Sequence, residues 1–210
     1  MALQPLQLAK LGATAGLLAM LFGCGANTPT LQTSTAPSTT VSDNAVTTEL
    51  PPLDPEIEQR FNLGIKAMAA KNYDKAEEVF LKMTQAYPDL SGPYANLGTV
   101  LKQKQDFRNA ENAFKQALRL NAENAETYNH LALLYRQSGR FNDALQTYKQ
   151  GLMIAPENTN LLRNIGILLE LYLGSPATAL EYYQRYLEQQ PDDKQVQLWV
   201  AVLTQQQAGS

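Results

Sequence analysis

The chain has 210 residues, a formal charge of −3 and a single cysteine. No basic stripe runs through it, so nucleic acid is not an expected partner, and one thiol cannot form an intrachain disulfide. Hydrophobic residues at 44% and charged residues at 18% suit one domain with its own core, plus appendages.

Lys10 is the only charged side chain before Asp43, and behind it runs the apolar stretch Leu11 to Phe22. As a helix this stretch would span about 18 Å, well short of a bilayer core of roughly 30 Å. A secretory leader needs only such a short apolar core behind a positive charge. The stretch closes with Leu21-Phe22-Gly23-Cys24, which resembles a lipobox, the cleavage site of bacterial lipoproteins. That resemblance implies removal of residues 1–23 and lipidation of Cys24, with palmitate among the acyl groups. Gly25 stands where an inner-membrane retention aspartate would be, so it points to the outer membrane, facing the periplasm. An uncleaved anchor helix, or a leader cut elsewhere with Cys24 incidental, is the alternative reading. Residues 24–56 are rich in Thr, Ser and Pro and hold no aromatic residue. Such a segment cannot bury enough apolar surface to offset its ordering entropy. It is expected to be a disordered tether whose ends lie on the order of 30 Å apart. Pro51, Pro52 and Pro55 mark its boundary with the folded domain.

From residue 57 the sequence repeats. Gly64, Gly98, Ala132 and Gly166 follow one another at intervals of thirty-four residues, each preceded by a branched aliphatic: Leu63, Leu97, Leu131 and Ile165. Ala76, Ala110 and Ala144 keep the same period, and Ala179 falls one residue late. Each alanine has an aromatic four positions on: Phe80, Phe114, Tyr148 and Tyr183. Pro88, Pro156 and Pro191 close units, with Ala122 in the second, and Tyr73, Phe107 and Phe141 mark the mid-unit turn. This pattern resembles the tetratricopeptide (TPR) signature. The resemblance implies an all-α solenoid of about four helix-turn-helix repeats, 57–90, 91–124, 125–158 and 159–193, within a domain of residues 57–206. Small residues are expected where the two helices of a unit cross, since larger ones would force the axes beyond the usual 8–10 Å. The aromatics are expected to fill the space between units. In the fourth unit Leu173-Gly174-Ser175-Pro176 replaces the aromatic turn and adds a residue, with Ser175 as N-cap and Pro176 starting the next helix. Residues 192–206 carry Val196, Trp199, Val200 and Leu203 at helical spacing and are expected to cap the last repeat.

No phosphate-binding loop, Cys/His cluster or serine elbow is present, and the one histidine, His130, has no ligand set around it. Neither a cofactor, a metal nor an enzymatic activity is expected. In TPR proteins the first helices line a concave groove that holds an extended peptide or a helix of a protein partner. The resemblance therefore implies a groove row of Asn62, Asn96, His130 and Asn164, with Asn129 beside it; Thr99, Lys102, Arg136 and Arg163 are expected to face inward too. So are Glu58, Glu126 and Glu170, which makes three positive and three negative charges and argues against a strongly charged ligand. TPR domains that bind chaperone tails clamp a carboxylate with Lys and Arg at the places held here by Glu126 and His130, so that clamp is absent. On the last helix the apolar residues cover an arc of roughly 200°, more than one repeat face requires. Leu198 and Val202, with Trp199 between them, form a possible docking edge for a partner or a second copy, as in a homodimer; in the alternative, Leu171, Tyr182 or Tyr186 wraps that edge. Lipidated TPR proteins of this kind resemble type IV and Flp pilus assembly lipoproteins, which implies a scaffold in envelope, pilus or secretion-complex assembly. The alternative is an adaptor that tethers and regulates peptidoglycan hydrolases.

Overall fold

Residues 54–209 are described in the computed structural model of the chain; the leader, Cys24 and the tether up to residue 53 lie outside them. The described residues form nine helices and no strand: α1 (Pro55–Ala69), α2 (Tyr73–Ala86), α3 (Ser91–Gln103), α4 (Phe107–Leu120), α5 (Ala125–Gln137), α6 (Phe141–Ile154), α7 (Thr159–Leu171), α8 (Pro176–Gln189) and α9 (Lys194–Ala208). The expected all-α repeat solenoid is what the chain forms.

Local chemistry sets the helix ends. The side chains of Asn72, Asp106, Asn124 and Asn158 accept from backbone N–H groups of the first turns of α2, α4, α5 and α7, satisfying donors that a helix start leaves open. Asp193 does the same for α9, accepting from the N–H groups of Gln195 and Val196, so α9 starts at Lys194. Ser175 precedes Pro176 as expected, but its hydroxyl makes no capping bond and donates to the Leu173 carbonyl instead.

The turn inside each of the first three units is one device used three times. Lys71, Gln105 and Gly139 adopt left-handed φ values of 56°, 63° and 74°. Their N–H groups and those of the next residues bond back to Met68 and Ala67, Lys102 and Leu101, and Arg136 and Tyr135, the Schellman arrangement that ends a helix and reverses the chain. In the fourth unit the left-handed residue is Gly174, at φ 60°, and the added residue shifts the pattern so that Ser175 N–H reaches Leu169 O.

The repeated small residues are needed because the aromatics lie directly on them. A Cβ built on Gly64 would stand 2.5 Å from the Phe80 ring, one on Gly98 2.7 Å from Phe114 and one on Gly166 2.3 Å from Tyr183. Phe80, Phe114 and Tyr183 thus close the crossing of the two helices in their own units, and Phe114 and Tyr183 also reach the next first helix, against His130 and Trp199. Between the third and fourth units Leu161 also packs against Gly151. Phe80, Phe114, Tyr148 and Tyr183 are essentially without solvent exposure, and burying each stabilises the fold by about 1.5–3 kcal/mol. Outside the core, neighbouring units are linked by ion pairs of Lys104 with Asp74 and Glu77 and of Arg140 with Glu111.

Candidate functional site

Direct contacts join the first helices α3 to α5 and α5 to α7, and no comparable contact joins α2 to α4 or α4 to α6. Helices that approach more closely on one side bend the array toward that side. The first helices α1, α3, α5 and α7 therefore line the inner, concave face, and equivalent residues on them fall into rows.

The first row is Asn62, Asn96, His130 and Asn164. Asn62 is exposed on α1. Asn96 is half-buried and donates to the carbonyl of Gly92 in its own helix; Thr99, also half-buried, likewise donates to the Ala95 carbonyl. Asn164 donates to Oδ1 of Asn129 at 2.8 Å. Asn129 in turn donates to Glu126 and is only 4% exposed. Asn129 is thus no free groove amide: it is a buried link between α5 and α7, and the one-residue step from His130 turns it towards α7. The row continues onto α9, where the thirty-five-residue step from Asn164 reaches Trp199. Trp199 is half-buried against Tyr183, with ring centroids 5.3 Å apart, and the Arg163 guanidinium stands 5.5 Å from its ring centre. Leu198 and Val202 are exposed, at 58% and 43%. Leu171 is also exposed and Tyr186 is buried with its hydroxyl on Asp193.

A second row on the same helices is Lys102, Arg136 and Glu170, again thirty-four residues apart. Lys102 and Arg136 make no ion pair among the described residues. Burial, and then the charge of Arg136, lower the Lys102 pKa, while Glu126 opposes them. The third row member behaves differently, because Glu170 accepts a 2.8 Å hydrogen bond from the Tyr183 hydroxyl. Glu126 lies 3.5 Å from His130 Nε2, and Glu58 is exposed on α1. The equal count of inward acids and bases thus conceals an uneven distribution: in the middle of the groove two bases stand unpaired.

His130 lies almost parallel to Phe114, with centroids 6.0 Å apart, and its Nδ1 is buried without a partner. Burial first, and the charge of Lys102 second, lower its pKa, with Glu126 opposing. Among the other buried groups without partners, Arg136 Nη1 belongs to a residue expected in the groove, whereas the Tyr148 hydroxyl was not legible as a site group from spacing. Periodicity marks Tyr148 only as a core aromatic. On another side of the array a cleft of about 430 Å³ opens among α2, α3 and α4, with Leu81, Leu101 and Ala113 in its lining and Glu77 and Asn109 among its polar groups. Among the described residues no group of three His, Cys, Asp or Glu side chains is placed to hold a metal ion, and no helix is long and apolar enough to cross a membrane.

Comparison with known proteins gives the same architecture. The chain is similar to the solved structure of MamA, with 24% identity and a TM-score of 0.60 over 66% of this chain and 81% of that one. It is similar to PilF of Pseudomonas aeruginosa, with 21% identity and a TM-score of 0.66 over 73% and 69% of the two chains. A third is YrrB, titled a TPR protein with an unusual peptide-binding site, at 21% identity and a TM-score of 0.57 over 67% and 72%. No curated protein sequence matches the chain. At these identities the likeness shows the fold. Residues 60–210 match the profile of a TPR family described as the cilia and flagella-associated protein 70 C-terminal domain. The chain belongs to this TPR family.

Proposed function

We propose that this protein is a lipid-anchored periplasmic scaffold that holds a peptide or helix of a partner in its groove during assembly of an envelope, pilus or secretion complex. The observation that carries the reading is the groove itself: consecutive first helices present Asn62, Asn96 and His130 in one row and unpaired Lys102 and Arg136 in another. Amide and cationic side chains in rows suit an extended backbone with acidic groups, because an amide offers both donor and acceptor and a cation offers several donors. The anchor rests on Leu21-Phe22-Gly23-Cys24. A diacylated cysteine with a further amide-linked chain exceeds the two hydrophobic signals that stable membrane attachment requires. The likeness to PilF is one of fold; the pilus role rests on the resemblance of the lipobox and repeats to pilus assembly lipoproteins.

Crosslinking in intact cells, followed by purification of the full chain from membranes, tests the reading. Secretin or pilus-assembly proteins should be captured by the wild type and lost with Asn96→Ala combined with Arg136→Gln. Capture of peptidoglycan hydrolases would replace this reading with the adaptor role. A Cys24→Ala chain that fractionates and migrates like the wild type would remove the anchor.

A further inference from the structure

The repeats provide an internal comparison at one place in the groove. In the fourth unit the second-helix aromatic is Tyr183, and its hydroxyl donates to the carboxylate of Glu170 at 2.8 Å. In the third unit the aromatic is Tyr148, fully buried, and its hydroxyl has no partner. The residue in the place of Glu170 is Arg136, whose Nη1 is also buried without a partner. One unit earlier the same place holds Lys102, close enough for its charge and that of Arg136 to act on one another. Arg136 also acts on Tyr148. Arg136 and Tyr148 thus each keep a buried donor without an acceptor, and a buried donor left unmade is costly. The neighbouring unit shows which group completes the arrangement: a carboxylate.

We propose that Lys102, Arg136 and Tyr148 form a binding site for a carboxylate carried by the partner peptide, as a Glu or Asp side chain or as a C-terminus. This rests on the scaffold reading above. The carboxylate meets Arg136, which is half-buried, from the groove. A rotation of that side chain brings the buried Nη1 and the Tyr148 hydroxyl into reach. One carboxylate oxygen then accepts from Tyr148, as Glu170 does from Tyr183, while the guanidinium and the Lys102 ammonium donate to the pair of oxygens. Charge-assisted bonds of this kind are the strong ones in recognition. Glu126, the one acid whose charge reaches Lys102, accepts from Asn129 and makes no ion pair with either base.

His130 is the only histidine, so ring-labelled histidine reports on this part of the groove without ambiguity in the full chain held in detergent. The probes are three short alanine peptides: one blocked at both ends with a central Glu, the same with Gln, and an all-alanine one with a free C-terminus. The Glu peptide, the free-C-terminus peptide or both should move the His130 signals saturably, and the responding probe identifies the source of the carboxylate. The Gln peptide should bind at least tenfold more weakly. Arg136→Gln should weaken binding tenfold or more at an unchanged melting temperature. Tyr148→Phe should weaken it severalfold, and it keeps the fold because Phe80 and Phe114 already occupy that place in the first two units. Equal binding of the Gln peptide, unchanged affinity in the folded Tyr148→Phe variant, or no saturable shift with any probe would overturn the site. The scaffold reading stands or falls separately, on partner capture in cells.

Discussion

Asn96 and Asn164 hold equivalent places on α3 and α7, yet their amides have different surroundings. Asn96 bonds within its own helix, whereas Asn164 supplies the Asn129 Oδ1 bond between α7 and α5. Asn164→Ala leaves a buried acceptor unpaired and should cost about 1–3 kcal/mol in urea unfolding. Asn96→Ala should change stability by no more than about 0.5 kcal/mol. The reverse order would contradict the hydrogen-bond assignment. His130 should give the domain a pH dependence of its own. Its pKa in the fold lies below the ordinary 6.5, because of burial and then Lys102, against the opposing charge of Glu126. As pH falls through 6.5 the unfolded chain takes up a proton that the folded chain does not, so acidification favours unfolding in that window. Melting temperature should drop from neutrality downward, and His130→Gln should remove that part of the slope. Asp193, held low by its bonds from Tyr186 and the start of α9, responds only at lower pH, below the ordinary value of 3.8.

At the scale of elements, α9 has the register of a first helix. The step that relates Ala179 to Ala144 relates Ala201 to Gly166. The small residues of the four units lie buried under their aromatics; Ala201 is exposed. The inner side of α9, by contrast, buries Val196 and Leu203 and seats Trp199 on Tyr183. Leu198→Glu with Val202→Glu should therefore leave the melting temperature nearly unchanged, as surface substitutions do. Trp199→Ala should cost about 1–3 kcal/mol. A large loss from the double glutamate variant in thermal melting would show that these two residues belong to the core. The broad apolar arc was legible in the sequence. Which of its edges met the last repeat was not, because that depends on how α9 crosses α8.

Across the whole molecule stability is shared between neighbours. Gly98→Leu places a branched side chain where even a Cβ lies 2.7 Å from Phe114, so it should cost roughly 1–3 kcal/mol or more. Helix α3 touches α2, α4 and α5, and in a one-dimensional array such a loss passes to adjacent units. Hydrogen exchange should show reduced protection in α2 and α5 as well as in α3 and α4. Protection lost only within the second unit would mean that the units are energetically independent.

The solenoid was open to reading from the chain alone because its cause is local and repeated. A glycine or alanine, an aromatic sixteen or seventeen residues later and a chain reversal between them specify one helix crossing, and the same interval specifies it four times. That interval also assigned Asn62, Asn96, His130, Asn164, Lys102 and Arg136 to first-helix rows. Only the tertiary structure decided which of these groups are spoken for. Asn129 and Asn164 satisfy one another across thirty-five residues; Glu170 takes the hydroxyl of Tyr183; Tyr148 and Arg136 are left with buried donors. Spacing places a residue on a face, but hydrogen-bond partners are set by side chains arriving from adjacent helices. These partnerships change from unit to unit while the backbone repeats.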